Sequence, residues 1–218
     1  MRCTDCVRAA GCLLARLPAS QAHGMVREHA VPAGTTLLHQ DEPVRRLVTV
    51  KVGLLALRRR VPEGPARTIA VIGPGRTVGL RALVGQDAAA LDAHALTPVR
   101  VCLRPVVPGA LEVPVPAVLS ELTRLAETLA DWAAIGRLPT ATQRVEAVLR
   151  RLAVAVQSPC VQLPQRQVLA ELAACAPETV SRALGALARA GRVRRGPRRN
   201  AWVLAETTHG STPQRPLA

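Results

Sequence analysis

The chain changes its pattern of breakers and apolar spacing once, at about Pro116, and that change dictates a fold in two parts. From Val31 onward, short β-type stretches such as Arg46–Val52, Leu54–Val61 and Arg67–Ile72 are separated by turn formers. These are Pro32-Ala33-Gly34, Asp41-Glu42-Pro43, Pro62-Glu63-Gly64-Pro65 and Gly73-Pro74-Gly75. Breakers at that spacing predict an antiparallel roll or barrel, closed by Pro105, Pro108, Pro114 and Pro116. Beyond Pro116 the apolar residues move to helical spacing, so the fold class expected is α+β.

Val118, Leu122, Leu125, Leu129 and Trp132 recur at alternating steps of four and three, a heptad seam on one long helix. Spacing alone leaves two readings open: packing on the chain's own β domain, or pairing with a second copy. Gly136 and Pro139 break the pattern, since proline removes a helical donor and clashes with the preceding turn. A second helix is expected from about Thr140 to Val156. Two more, Gln165–Ala174 and Pro177–Ala190, follow across a very short turn, and Gly191 ends the last. Arg192–Arg195 and Ala201–Ala205, on either side of Gly196-Pro197, read as a two-stranded wing. The division expected is a cysteine segment (1–30, with a short helical run from Cys12 to Val26), a roll (31–115), a long helix (116–138) and a winged helix-turn-helix (139–206). A disordered tail (207–218) completes it.

The helix pair points to duplex DNA. Pro177 suits a first helical position and Glu178 complements the positive end of the dipole. Glu178, Thr179, Ser181 and Arg182 stand early in the second helix, where a helix-turn-helix reaches base edges in the major groove. Arginine suits guanine, glutamate accepts from cytosine, and serine contacts either kind of base. Arg195, Arg198 and Arg199 in the wing are candidates for phosphate contacts. The bland alternative is a surface pair between Glu178 and Arg182, beside a solvated charge run. Net charge of +14 over 218 residues favours a polyanionic partner, with Lys51 the sole lysine. Phe and Tyr are absent, leaving Trp132 and Trp202, so aromatic platforms for single strands are excluded.

The stretch Leu163–Val193, LPQRQVLAELAACAPETVSRALGALARAGRV, resembles the winged helix of the CRP/FNR family of bacterial regulators. Glu-Thr-Val-Ser-Arg at 178–182 is its most specific part, and roll, long helix and winged helix follow in the family's order. The resemblance implies a cyclic-nucleotide-binding-like roll as sensor, the long helix as homodimer interface through Val118, Leu122, Leu125, Leu129 and Trp132, and RNA polymerase as a partner. It also implies a TTGAT-like half-site read by glutamate, serine and arginine, because Pro177 stands where the cyclic-AMP branch has an arginine. Two positions depart from the pattern: Ala174 stands where the family often has glycine, and Ala176 lacks the usual capping side chain. Cyclic-nucleotide binders of the family carry glycine-glutamate and a later arginine. Here Gly79-Leu80-Arg81-Ala82 and the run Ala88–Ala90 supply neither the glutamate nor the later arginine, so no cyclic nucleotide is expected.

Cysteine placement suggests another signal. Cys3, Cys6 and Cys12 have the spacing C-x2-C-x5-C, and Cys102 closes the stretch Ala95–Cys102. This is similar to the oxygen-sensing FNR branch, which implies a [4Fe–4S] cluster held by Cys3, Cys6, Cys12 and Cys102. The competing readings of the same thiols are zinc and direct thiol oxidation. Cys160 and Cys175 read as small core hydrophobes. His23, His29, His39, His94 and His209 are scattered without metal-ligand spacing. No nucleophile–base pair, phosphate loop or carboxylate pair stands out, so an enzyme is not expected; a module that binds only proteins is the other rival. With no apolar run of the roughly 20 residues a membrane span needs, and an opening Met1-Arg2-Cys3 unlike a signal peptide, the expected compartment is the cytoplasm.

Overall fold

The computed structural model describes residues 3, 6–7, 9–16, 26–62, 64–106, 114–198 and 200–205. Two four-stranded antiparallel sheets make the N-terminal half. The first joins β1 (Arg27–Val31), β8 (Val99–Pro105), β3 (Arg46–Val52) and β6 (Thr77–Val78) in that order. The second joins β2 (Thr36–Leu38), β7 (Asp92–Ala95), β4 (Leu55–Arg59) and β5 (Arg67–Ile72), which leaves β5 at an edge. The three expected strands are present. Alternation sets their faces: Val48 and Val50 of β3 are buried among core residues with Val99 and Val101 of β8. In the first sheet Cys102 lies between Glu28 of β1 and Thr49 of β3. At the N-terminus the expected helical run exists as a 3-10 turn over Leu13–Arg16, while 17–25 lie outside the described residues.

Helix α1 spans Val115–Ile135 and starts on Pro114 and Pro116, where a missing N–H costs nothing. After the break, α2 (Ala141–Val156) opens on a reciprocal cap: the Thr140 hydroxyl accepts from the Gln143 amide, while the Gln143 side chain accepts from Thr140. Two short helices follow, α3 (Arg166–Leu172) and α4 (Pro177–Arg189), then β10 (Val193–Arg195) and β11 (Ala201–Leu204). Gly191 adopts φ +68° as α4 ends, a conformation that favours glycine. The wing has a third strand, β9 (Cys160–Gln162), on the far side of β11. The sequence had not disclosed it, because three residues beside prolines carry no readable period.

One continuous core runs from the roll through Trp132 and Ile135 of α1 into Val148, Leu152, Leu184 and Trp202. Within the single chain the heptad stripe packs inward. Val118 and Trp132 are buried within the chain, and Leu122, Leu125 and Leu129 are half-buried against its own core. Trp132 Nε1 donates to the Val71 carbonyl at 3.2 Å, tying the helix to β5. A heptad records that a stripe is apolar, not what covers it.

Candidate nucleic-acid interface and cysteine nest

Helix α4 is amphipathic by construction. Val180, Ala183, Leu184 and Leu187 are buried, while Glu178 and Arg182 are exposed at its N-terminal end. Among the described residues no ion pair joins Glu178 to Arg182; the Arg182 guanidinium instead donates to Thr179 Oγ1 at 3.2 Å. Ser181 is half-buried and receives a hydrogen bond from Arg166, the first residue of α3. Arg166 is exposed, so the first turn of α3 adds a cation beside the reading residues that the sequence had not singled out. Its place there depends on how two helices cross, which no local pattern records.

The wing's arginines are not equivalent. Arg194, Arg195 and Arg198 are exposed. The Arg195 guanidinium stacks over Trp202 at 4.7 Å from the ring centroid, which holds the charge without neutralising it. Arg192 is held by Glu146 at 2.5 Å and serves the junction of wing and α2. Arg199 lies outside the described residues.

The turn between α3 and α4 shows the effect of the two unusual alanines. Ala174 adopts φ +47°, in the left-handed region that a side chain disfavours. Ala176, the N-cap of α4, offers no side-chain acceptor to the first turn. Arg144 braces the turn from α2, donating to the Ala173 and Leu138 carbonyls, both at 2.9 Å.

The described part of the N-terminal segment packs on the first sheet at Leu47 and Cys102. Its backbone winds in successive turns, with N–H to C=O bonds from Cys6 to Cys3, Ala9 to Cys6, Cys12 to Ala9 and Ala15 to Cys12. Cys3, Cys12 and Cys102 pack on one small apolar cluster formed by Leu14 and Leu47. Cys6 stands within electrostatic reach of Cys3 and Cys12. All four thiols are free and half-buried. Burial pushes the Cys3 and Cys12 thiols up, and the Cys102 thiol up to about 11, each further raised by neighbouring cysteines. Burial thus disfavours the thiolates, and a cation among them would favour ionisation. Among the described residues no three His, Cys, Asp or Glu side chains form a set able to hold one metal ion. Cys160 lies on β9 and Cys175 packs against the core in the helix-turn-helix, both half-buried and away from this nest.

Within the roll, Leu38, Val44, Leu57, Val78, Leu80 and Leu122 border an apolar cavity of about 60 Å³. Drug-sized ligands occupy pockets of roughly 300–1,000 Å³. Arg81 reaches the cavity, but its guanidinium donates to Gln86 at 2.9 Å. No helix of the described residues is long and apolar enough to cross a membrane.

Comparison with known proteins agrees with this architecture. Residues 28–105 match the cyclic nucleotide-binding domain, and residues 143–206 match the Crp-like helix-turn-helix domain. No curated protein matches the chain by sequence. Among solved structures, a CRP-family transcriptional regulator of Thermus thermophilus is 22% identical with a TM-score of 0.68, over 82% of this chain and 92% of its own. FixK2 of Bradyrhizobium japonicum is 22% identical with a TM-score of 0.70, over 83% and 93%. A second regulator of Thermus thermophilus, of the CRP/FNR family, is 25% identical with a TM-score of 0.63, over 83% and 94%. The chain joins a cyclic nucleotide-binding domain to a Crp-like helix-turn-helix domain on the CRP/FNR fold.

Proposed function

We propose that this chain, which has the fold and domain order of the CRP/FNR regulators, is a homodimeric transcription regulator that reads duplex DNA and senses oxygen through an iron–sulfur cluster. The observation that carries the DNA-reading part is the exposed N-terminal face of α4, with Glu178, Thr179, Ser181 and Arg182, flanked by the exposed arginines 166, 194, 195 and 198. Base-edge contacts from α4 select sequence, and the arginines neutralise phosphates. The target is a TTGAT-like inverted repeat, with RNA polymerase as the partner of the bound regulator. A gel shift with a TTGAT-N4-ATCAA duplex tests this; salt-dependent binding is expected, and its absence at low salt would overturn it.

Dimerisation uses the side of α1 that the chain leaves exposed. Leu119, Thr123, Ala126, Ala130 and Ala133 are all exposed and repeat at heptad spacing, about 100° round the helix from the buried stripe. A second copy seated there places two α4 helices for two half-sites about one DNA turn apart.

For sensing, Cys3, Cys6, Cys12 and Cys102 would hold a [4Fe–4S] cluster, which when bound supplies an oxygen-labile tie between the segment and the roll. Support comes from Cys3, Cys12 and Cys102, free thiols packed on one apolar patch, with Cys6 within electrostatic reach of Cys3 and Cys12. Leu13, beside Cys12, packs with Leu80 and with Ala117 in the first turn of α1. The segment's position is thereby felt by the dimer helix. Holding it favours the dimer, and freeing it uncovers the start of α1. The roll binds no cyclic nucleotide in this reading: its cavity is small and apolar, and the arginine at its edge is engaged.

A further inference from the structure

The edge strand β5 has one side unpaired by sheet neighbours, and the DNA-reading half of the chain takes up its polar groups. Thr68, itself buried, donates its backbone N–H to Glu171 Oε2 at 2.9 Å. Glu171 belongs to α3, the first helix of the helix-turn-helix pair, and its side chain is only 11% exposed. Its other oxygen lies 3.6 Å from the exposed Arg67 guanidinium. Three residues on, the Val71 carbonyl accepts from Trp132 of α1. Just past the strand, a Cβ on Gly73 would lie 2.1 Å from the Ala155 carbonyl, so α2 abuts the turn with no room for a side chain. The strand is thus held by α1, α2 and α3 in turn, and among the described residues only Glu171 makes the connection with a charged side chain.

We infer that Glu171 is a latch that fixes the reading domain to the sensor roll. A largely buried side-chain oxygen accepting a buried amide makes a bond shielded from water, whereas the pair with exposed Arg67 is screened and adds little. Reach to the Thr68 amide, rather than the ion pair, is therefore the working element. With the latch closed, α3 and α4 move with the roll, and the two reading heads of a dimer keep a fixed separation. With it open, each head still reads a half-site, but the pair loses the preset spacing that makes two-site binding favourable. The effect on DNA rests on the DNA-reading role proposed above; the latch itself does not.

The test uses the full chain with Glu171→Ala, Glu171→Asp and Glu171→Gln, following Thr68 amide exchange and affinity for full-site and half-site duplexes. Glutamine keeps an acceptor at the same reach, so wild-type exchange and affinity are expected. Alanine has no acceptor and aspartate is one methylene short; both should exchange Thr68 about tenfold faster. Both should also bind the full inverted repeat about tenfold more weakly, with half-site affinity unchanged. If alanine does not fold, aspartate against glutamine decides. Unchanged exchange in the aspartate variant, or faster exchange in the glutamine variant, overturns the latch. Faster exchange with unchanged full-site affinity overturns its role in spacing. If wild-type protein binds neither duplex, the DNA-reading role falls, and the exchange data still judge the latch.

Discussion

Leu13 of the cysteine segment and Ala117 in the first turn of α1 share one buried apolar cluster with Leu80. This cluster links the cysteine segment to the helix proposed to pair two copies. Leu13→Ala should therefore weaken the dimer while leaving all four sulfurs in place. Sedimentation should show a shift toward monomer and iron per chain should not change. Truncating a buried leucine costs about 2 kcal/mol or more.

Arg182 and Arg198 should fail in different ways. Arg182→Ala, on the reading face, should cost about 1–3 kcal/mol on the cognate duplex and relax its sequence preference. Arg198→Ala should weaken binding evenly across sequences and reduce the salt slope by about 1. Titrations at several salt concentrations separate the two. Equal effects from both would make the interface purely electrostatic.

Ala174 is held at φ +47° in the turn between α3 and α4. Left-handed backbone costs a side-chain-bearing residue about 1–2 kcal/mol, and glycine returns part of that gain as unfolded-state entropy. Ala174→Gly should raise stability by about 0.5–1 kcal/mol, a few degrees in Tm, without altering DNA specificity. A lowered Tm would mean that the turn does not hold this conformation.

The cavity of about 60 Å³ and the engaged Arg81 predict that millimolar cyclic AMP leaves Tm and duplex affinity unchanged. An upward shift of Tm that saturates with concentration would contradict that.

The sequence made some of this legible and withheld the rest for identifiable reasons. Breakers and alternation are local, so Arg46–Val52 and Arg67–Ile72 could be read directly. The buried stripe Val180, Leu184 and Leu187 oriented Glu178 and Arg182 outward without help from the fold. The spacing of Cys3, Cys6 and Cys12 is visible in the sequence, but only a family resemblance could attach Cys102, which reaches them through sheet register. What covers Trp132 could not be read, because periodicity is blind to which surface a helix covers. Thr140-x-x-Gln143 was a readable start signal for α2 that the breaker at Pro139 overshadowed. Arg166 and Glu171 could not have been found, since their partners Ser181 and Thr68 depend on tertiary packing.

The central claim is that Cys3, Cys6, Cys12 and Cys102 hold an oxygen-labile cluster that governs duplex binding. Its most direct test is anaerobic purification with iron and sulfide quantified per chain, followed by duplex affinity before and after air exposure. The account predicts about four irons and four sulfides, visible absorption that bleaches in air, and loss of full-site affinity as it does so. It also predicts that serine at Cys3, Cys6, Cys12 or Cys102 abolishes all three. Protein that carries zinc or no metal, or whose promoter binding is indifferent to air, would contradict it.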